Sequence, residues 1–123
     1  MTDSWNAGLE MMDAVYGPNA RNLAKPGSRL NEEIVENLFA KIWSSPHLSI
    51  RDKRLLIIGA TTMLGRADIL EIQLAGAIHN GEFTDAALEE MKLFMLFYCG
   101  APNTSALAEG ISRAKKRVAD AGA

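Results

Sequence analysis

Apolar residues return every three or four positions along most of this chain, a period that predicts helices. From Trp5 to Tyr16 the stripe is Leu9, Met12, Val15 and Tyr16, and YGPN stops it. RNLAKPGSR reads as a loop through its Pro26–Gly27 pair. Leu30 to Trp43 carries Ile34, Val35, Leu38, Phe39 and Ile42, with Asn31 as its expected N-cap. After the break SSPHLS, Ser49 is placed to cap a helix over Ile50–Leu64, with Arg51 and Asp52 in its first turn and Gly65 at its end. Ala67 to His79 follows, closed by Asn80–Gly81. Thr84 caps the next helix, and TDAALEEM sets acidic groups where the helix dipole favours them. Pro102 sits near the start of a last helix to about Val118, beyond which AGA frays. No stretch alternates strictly with β-branched residues and hairpin turns, so no strand is required. The expected architecture is all-α: one small domain of about six helices over residues 1–123.

Two of these helices carry more apolar surface than the rest. Leu55 to Ile58 is apolar on nearly every side, and so is LFMLFYCG. A helix apolar all round is a central one. One core of this size does not cover two, so part of Leu93–Cys99 or Leu55–Leu64 is expected to lie in a subunit interface.

Against this apolar background one polar residue stands out. In GRADILEIQLAGAIHNG, Gln73 has Ile69, Leu70, Gly76 and Ala77 three and four positions away, none with a polar side chain. A buried amide without partners costs on the order of 1–3 kcal/mol. Gln73 is therefore either exposed on a face of the helix other than the one its neighbours suggest, or buried with hydrogen-bond partners, as a structural amide or as the lining of a pocket. Glu71, two residues earlier, points about 160–200° away, toward solvent or an interface.

Composition narrows the function classes. The 48% apolar and 23% charged content is that of a globular chain, and a net charge of −2 gives no electrostatic footprint for nucleic acid. The basic run Arg113, Lys115, Lys116 and Arg117 reads as a solvated last turn that favours the helix dipole. A single cysteine, Cys99, excludes an intramolecular disulfide, suits a reducing cytoplasm, and reads as a small buried apolar residue. MTDSWNAGLEMM lacks the basic-then-apolar pattern of a signal peptide, and the longest apolar stretches fall short of the roughly 18–20 residues of a membrane span. A soluble cytoplasmic protein without membrane contact is expected.

Chemistry is sparse. His47 and His79 are the two histidines, with no cluster at ligand spacing, so no metal is expected. Neither a glycine-rich phosphate cradle nor a nucleophile elbow occurs. What remains stands at helix ends. Trp43, Ser44, Pro46, His47 and Leu48 form a turn before Arg51 and Arg54. These arginines lie three apart on one helix face, able to hold a substrate carboxylate or to pair with a protein carboxylate. His47 reads equally as an exposed loop residue. Tyr98 ends an apolar helix, its ring expected to pack and its hydroxyl to hydrogen-bond.

The run from Trp43 to Leu107 resembles the carboxymuconolactone decarboxylase family. Its hallmarks recur in order: Trp43 and Pro46, Leu48-Ser-x-Arg51-Asp-x-Arg54, Leu64-Gly65-Arg66, Ala77-Ile-x-Asn80-Gly81 and Tyr98-x-Gly100-x-Pro102. The segment from Gly8 to Gly17, GLEMMDAVYG, resembles the family's N-terminal stretch. The resemblance implies an alkylhydroperoxidase-D-like helical fold in homotrimers or homohexamers, with no cofactor. The namesake activity removes carbon dioxide from γ-carboxymuconolactone in protocatechuate breakdown. Such chemistry needs a group that stabilises the enolate and one that returns a proton. The family's Glu-Leu-x-x-His is altered: Gln73 stands at the histidine and Ile69 at the glutamate, while Ser45 replaces an arginine. A histidine hands over protons near neutral pH; a glutamine donates only a hydrogen bond. The cysteine slots of the hydroperoxidase branch hold Arg66 and Ile69, so no thiol pair exists.

On the resemblance, Gln73 hydrogen-bonds the developing oxyanion of a small carboxylated or lactone substrate. Arg51 or Arg54 orients its acid group, His47 is the candidate for proton transfer, and Trp43 and Tyr98 shape the pocket. The alternatives are a non-catalytic ligand-binding oligomer and, last, a peroxidase using Cys99.

Overall fold

The computed structural model describes residues 2–122, and every regular element among them is helical. The chain falls into two compact units, one ending at Lys53 and the other beginning at Arg54.

In the N-terminal unit, α1 (Asp3–Tyr16) starts where the Thr2 hydroxyl accepts from the backbone N–H of Trp5 at 3.1 Å. It stops at Gly17, whose φ of 103° lies in the region that glycine tolerates. A 3-10 turn, Ala20–Leu23, is held to α1 by Asp13, which accepts from the Arg21 backbone and its Nε at 2.9 and 2.6 Å. Next comes α2 (Arg29–Glu33), which runs directly into a π-helical segment, Ile34–Trp43. Ser28 caps α2 by accepting from the Asn31 backbone; Asn31, the expected cap, lies inside the helix and donates its side chain to the Lys25 carbonyl.

The π winding alters which residues are buried. Its hydrogen bonds reach five residues back, so each turn holds more residues than an α-turn and positions four apart stay in line. Val35, Phe39 and Trp43 are accordingly buried, whereas Leu38 and Ile42, which an α-helical stripe would have enclosed, are 42% and 60% exposed. Trp43 stacks on Phe39 with ring centroids 6.2 Å apart, and Tyr16 meets Phe39 edge-on at 5.6 Å. α1 crosses this segment at Gly8, where an added Cβ would fall 2.0 Å from the Val35 carbonyl oxygen. The segment's end is tied by Lys53, whose Nζ donates to the carbonyls of Trp43 (2.9 Å) and Ser45 (2.7 Å).

The C-terminal unit takes in most of α3 (Ile50–Met63) with α4 (Ala67–His79), α5 (Asp85–Cys99) and α6 (Ala101–Gly122). Ser49 and Thr84 act as the expected caps, accepting from Asp52 N at 3.0 Å and Ala87 N at 3.1 Å. The core joins Ile58, Leu70, Leu74, Leu88, Leu107 and Ile111. α4 and α6 pack closest, and Gly110 makes that possible: a Cβ there would meet the Leu70 Cβ at 2.7 Å.

The most enclosed helix is α4, not the two that are apolar all round. From Gln73 to Ala77 every α4 residue is buried, while Leu56 on α3 and Phe97 on α5 are 65% and 85% exposed. Small residues explain it, since Ala75, Gly76 and Ala77 let neighbours approach the α4 backbone. α6 continues past Val118 to Gly122; of the predicted fray AGA, Ala123 lies outside the described residues.

Candidate active site

Gln73 sits mid-way along α4 and is 4% exposed, so the buried alternative holds. Its partner is Arg54 of α3, which is fully buried. Arg54 Nη1 donates to Gln73 Oε1 at 3.2 Å. The rest of the guanidinium faces Glu82, just after the Asn80–Gly81 turn: Nε donates to Oε1 at 3.1 Å and Nη2 to Oε2 at 2.9 Å. This is the bidentate fork that arginine offers a carboxylate. Asn80 Nδ2 adds a bond to Glu82 Oε2 at 3.0 Å. Two helices and a turn of the C-terminal unit thus converge on one neutralised cation.

The fork dictates how the Gln73 amide faces. A guanidinium only donates, so it accepts as neighbour the amide oxygen and not the amide NH2. The N–H groups of Gln73 are therefore turned away from Arg54. The glutamine is a donor with a fixed direction, which is the requirement for hydrogen-bonding an anion or a developing oxyanion.

Of the two partners open to Arg54 in the sequence, the structure provides a protein carboxylate. Glu82 is the residue that sequence reasoning missed. Its one signal was an acidic residue directly after a helix-ending Asn-Gly, in HNGEF.

The other candidates are divided between the two units. Trp43, His47 and Arg51 belong to the N-terminal unit. The Trp43 ring is buried against Phe39, His47 is exposed in the turn before α3, and Arg51 is exposed on the first turn of α3. Tyr98, in the C-terminal unit, is 71% exposed with its ring against Phe94 at 5.1 Å. Its ring is thus far less covered than expected. Arg66, in one cysteine slot of the hydroperoxidase pattern, is exposed and paired with Asp68 through Nε at 2.9 Å and Nη2 at 2.8 Å. That hydrogen bond draws the Asp68 carboxyl down to about 2. Cys99 is a partly buried free thiol.

Glu71 is half-buried and accepts from Arg117 at 3.3 Å; Arg113 pairs with Glu109 and Lys115 with Asp85, so this stretch of α6 is salt-bridged at its surface. Among the described residues no three His, Cys, Asp or Glu side chains gather as a metal would require, and no helix is long and apolar enough to cross a membrane.

No family model and no solved structure matches the chain. A curated protein does: nitrosuccinic acid decarboxylase npaB of Metarhizium robertsii is 31% identical over 97 residues, covering 76% of this chain. The match spans 66% of that protein, just under two thirds of its length.

Proposed function

We propose that this chain is a cofactor-independent decarboxylase of the carboxymuconolactone decarboxylase type, acting on a small carboxylated metabolite. The observation that carries the reading is its 31% identity to a protein named as a decarboxylase, extending over three quarters of the chain. The quoted motifs from Trp43 to Pro102 support the family assignment.

The chemistry asked of such a site is limited. A C–C bond to a carboxylate breaks, carbon dioxide leaves, and the electron pair moves onto the oxygens of an adjacent nitro or carbonyl group. A proton then adds at carbon. The barrier falls to the extent that donors are already aimed at those oxygens. Gln73 is our assignment for that donor, with Arg54 and Glu82 fixing the direction of its amide. Compounds of the nitrosuccinate type suit it because a nitro group holds the charge that the departing carboxylate leaves behind.

Incubation of purified protein with nitrosuccinate, a β-keto dicarboxylate and γ-carboxymuconolactone, with carbon dioxide release and product NMR as readouts, tests the reading. Turnover of at least one, reduced on the order of a hundredfold by Gln73→Ala and little changed by Cys99→Ser, is the expected result. Turnover unaffected by Gln73→Ala places the chemistry elsewhere, and none on any substrate removes the enzyme.

A second reading has an observation of its own. Gln73 is almost wholly enclosed and Arg54 already holds Glu82, as in a purely structural network. In that case Gln73→Ala lowers stability and changes no turnover.

A further inference from the structure

α4 ends in a turn of fixed geometry. The Gly81 N–H donates to the Ile78 carbonyl at 3.0 Å and the Glu82 N–H to the Ala77 carbonyl at 2.9 Å, the paired closure of a Schellman motif. Gly81 supplies the left-handed residue that this closure needs, with φ at 67°. Asn80, the C-cap, has φ −80° and ψ −6°, a conformation open to any residue. Its backbone gives no reason for an asparagine.

The residue after the glycine is equally unusual. A Schellman turn commonly sets an apolar side chain there, packed back on the last turn of the helix. This chain sets Glu82 there, and the apolar residue, Phe83, follows and packs against the core. The turn thus delivers a carboxylate from a backbone position fixed by hydrogen bonds, and that carboxylate meets the Arg54 fork.

From the turn the side chains run inward in order. Asn80 is exposed, the Glu82 side chain is 9% exposed, and Arg54 is fully buried. Asn80 Nδ2 donates to Glu82 Oε2 at 3.0 Å, and Arg54 Nη2 donates to the same oxygen at 2.9 Å. Arg54 Nη1 then reaches Gln73 Oε1 at 3.2 Å. Held from two sides, the carboxylate fixes the plane of the guanidinium, and a rigid guanidinium fixes the amide beyond it.

We propose that Asn80 and Gly81 are positioning residues for the reaction. Acting through Glu82 and Arg54, the turn that closes α4 sets the direction in which Gln73 presents its amide donors. The proposal rests on the reading of Gln73 as the oxyanion donor. It asks of Asn80 a hydrogen-bond donor and of Gly81 a positive φ.

Gln73 is the single glutamine of the chain, so isotopic labelling of the glutamine amide nitrogen gives one pair of NMR cross-peaks for the group in question. Asn80→Asp keeps the shape and removes the donor. Both peaks are expected to move at about pH 8 and to return toward wild type near about pH 5, where the introduced carboxyl takes up a proton and donates again. The charged groups that face this carboxyl are Glu82 and, from α3, Arg54. His79, one residue before it, is present in the wild type as well, so its titration appears in the wild-type trace. Gly81→Ala is expected to move the peaks, and Gly81→Asn, whose side chain tolerates a positive φ, to leave them near wild type. Nothing lies within 4 Å of an added Cβ at Gly81, so this contrast reads backbone conformation and not crowding.

In turnover, Asn80→Asp and Gly81→Ala are expected to lower kcat about tenfold to a hundredfold with KM within about twofold, and Gly81→Asn to recover most of it. A loss of stability with unmoved peaks and unchanged kcat makes the turn merely structural and overturns the proposal. So does a kcat that falls as far in Gly81→Asn as in Gly81→Ala. Peaks that move in a protein that turns over none of the substrates uphold the coupling and remove the decarboxylase reading instead. Should Gly81→Ala fail to fold, Asn80→Asp, at an exposed position, decides alone.

Discussion

Arg54 Nη1 lies 3.2 Å from Gln73 Oε1, so the polar intrusion in α4 is matched by an equally buried cation on α3. With Glu82 closing the other side of the guanidinium, neither residue is intelligible alone. The amide is tolerated because of the arginine, and the arginine because of the carboxylate.

Removing the carboxylate is therefore expected to cost more than removing the pair. Glu82→Leu leaves a fully enclosed guanidinium without counter-charge, and the expected loss is about 3–5 kcal/mol. Arg54→Met with Glu82→Leu is expected to recover most of it. Both tryptophans, Trp5 and Trp43, lie in the N-terminal unit, so urea unfolding is followed by circular dichroism to register the C-terminal unit. A single Glu82→Leu within about 1 kcal/mol of wild type contradicts the network.

Two glycines within helices make opposite predictions. At Gly110 a methyl group would collide with the Leu70 Cβ at 2.7 Å, and Gly110→Ala is expected to destabilise by about 1–3 kcal/mol. At Gly59 nothing lies within 4 Å of an added Cβ, so Gly59→Ala is expected to stabilise α3 by about 0.5–1 kcal/mol. Thermal melts of both variants check the pair of signs.

Asp68 gives a pH signature. Its carboxyl is drawn from 3.8 to about 2 by the hydrogen bond from Arg66. A depressed carboxylate adds stability above its unfolded value and loses it as pH falls through the folded one, so the contribution is complete above about pH 4 and gone below about pH 2. Both side chains are exposed, so the effect is read from the titration itself. Carbonyl NMR is expected to give a midpoint near 2, returning toward 3.8 in Arg66→Gln.

His47 is tested separately from the buried network. On the proposed reaction, His47→Gln is expected to slow turnover by about 10²–10⁴-fold if this side chain returns the proton. Being exposed, it should leave the melting temperature unchanged. Steady-state kinetics with the responsive substrate measures this, and unchanged kcat assigns the proton to another donor.

The helices were legible because period and punctuation agree along this chain: Ser49, Thr84, Gly65 and Asn80–Gly81 stand where caps and stops belong. Ile34–Trp43 was not, because an apolar stripe of 34, 35, 38, 39 and 42 suits the commoner α winding, and only packing against α1 reveals which stripe is covered. Likewise Gln73 announced that it needed a partner without saying which. Arg54 stands 19 residues before it and Glu82 nine after, and their meeting depends on how α3, α4 and the turn after α4 converge. The sequence names hydrogen-bonding capacity; tertiary geometry assigns it.

Lys53 carries a last consequence. Its ammonium clasps the carbonyls of Trp43 and Ser45, closing off a helical segment of an uncommon kind. An amine so engaged is shielded from electrophiles until the clasp lets go. How quickly a dilute anhydride acylates it is thus a clock for the unlatching of that segment, timed by one lysine among its more accessible neighbours.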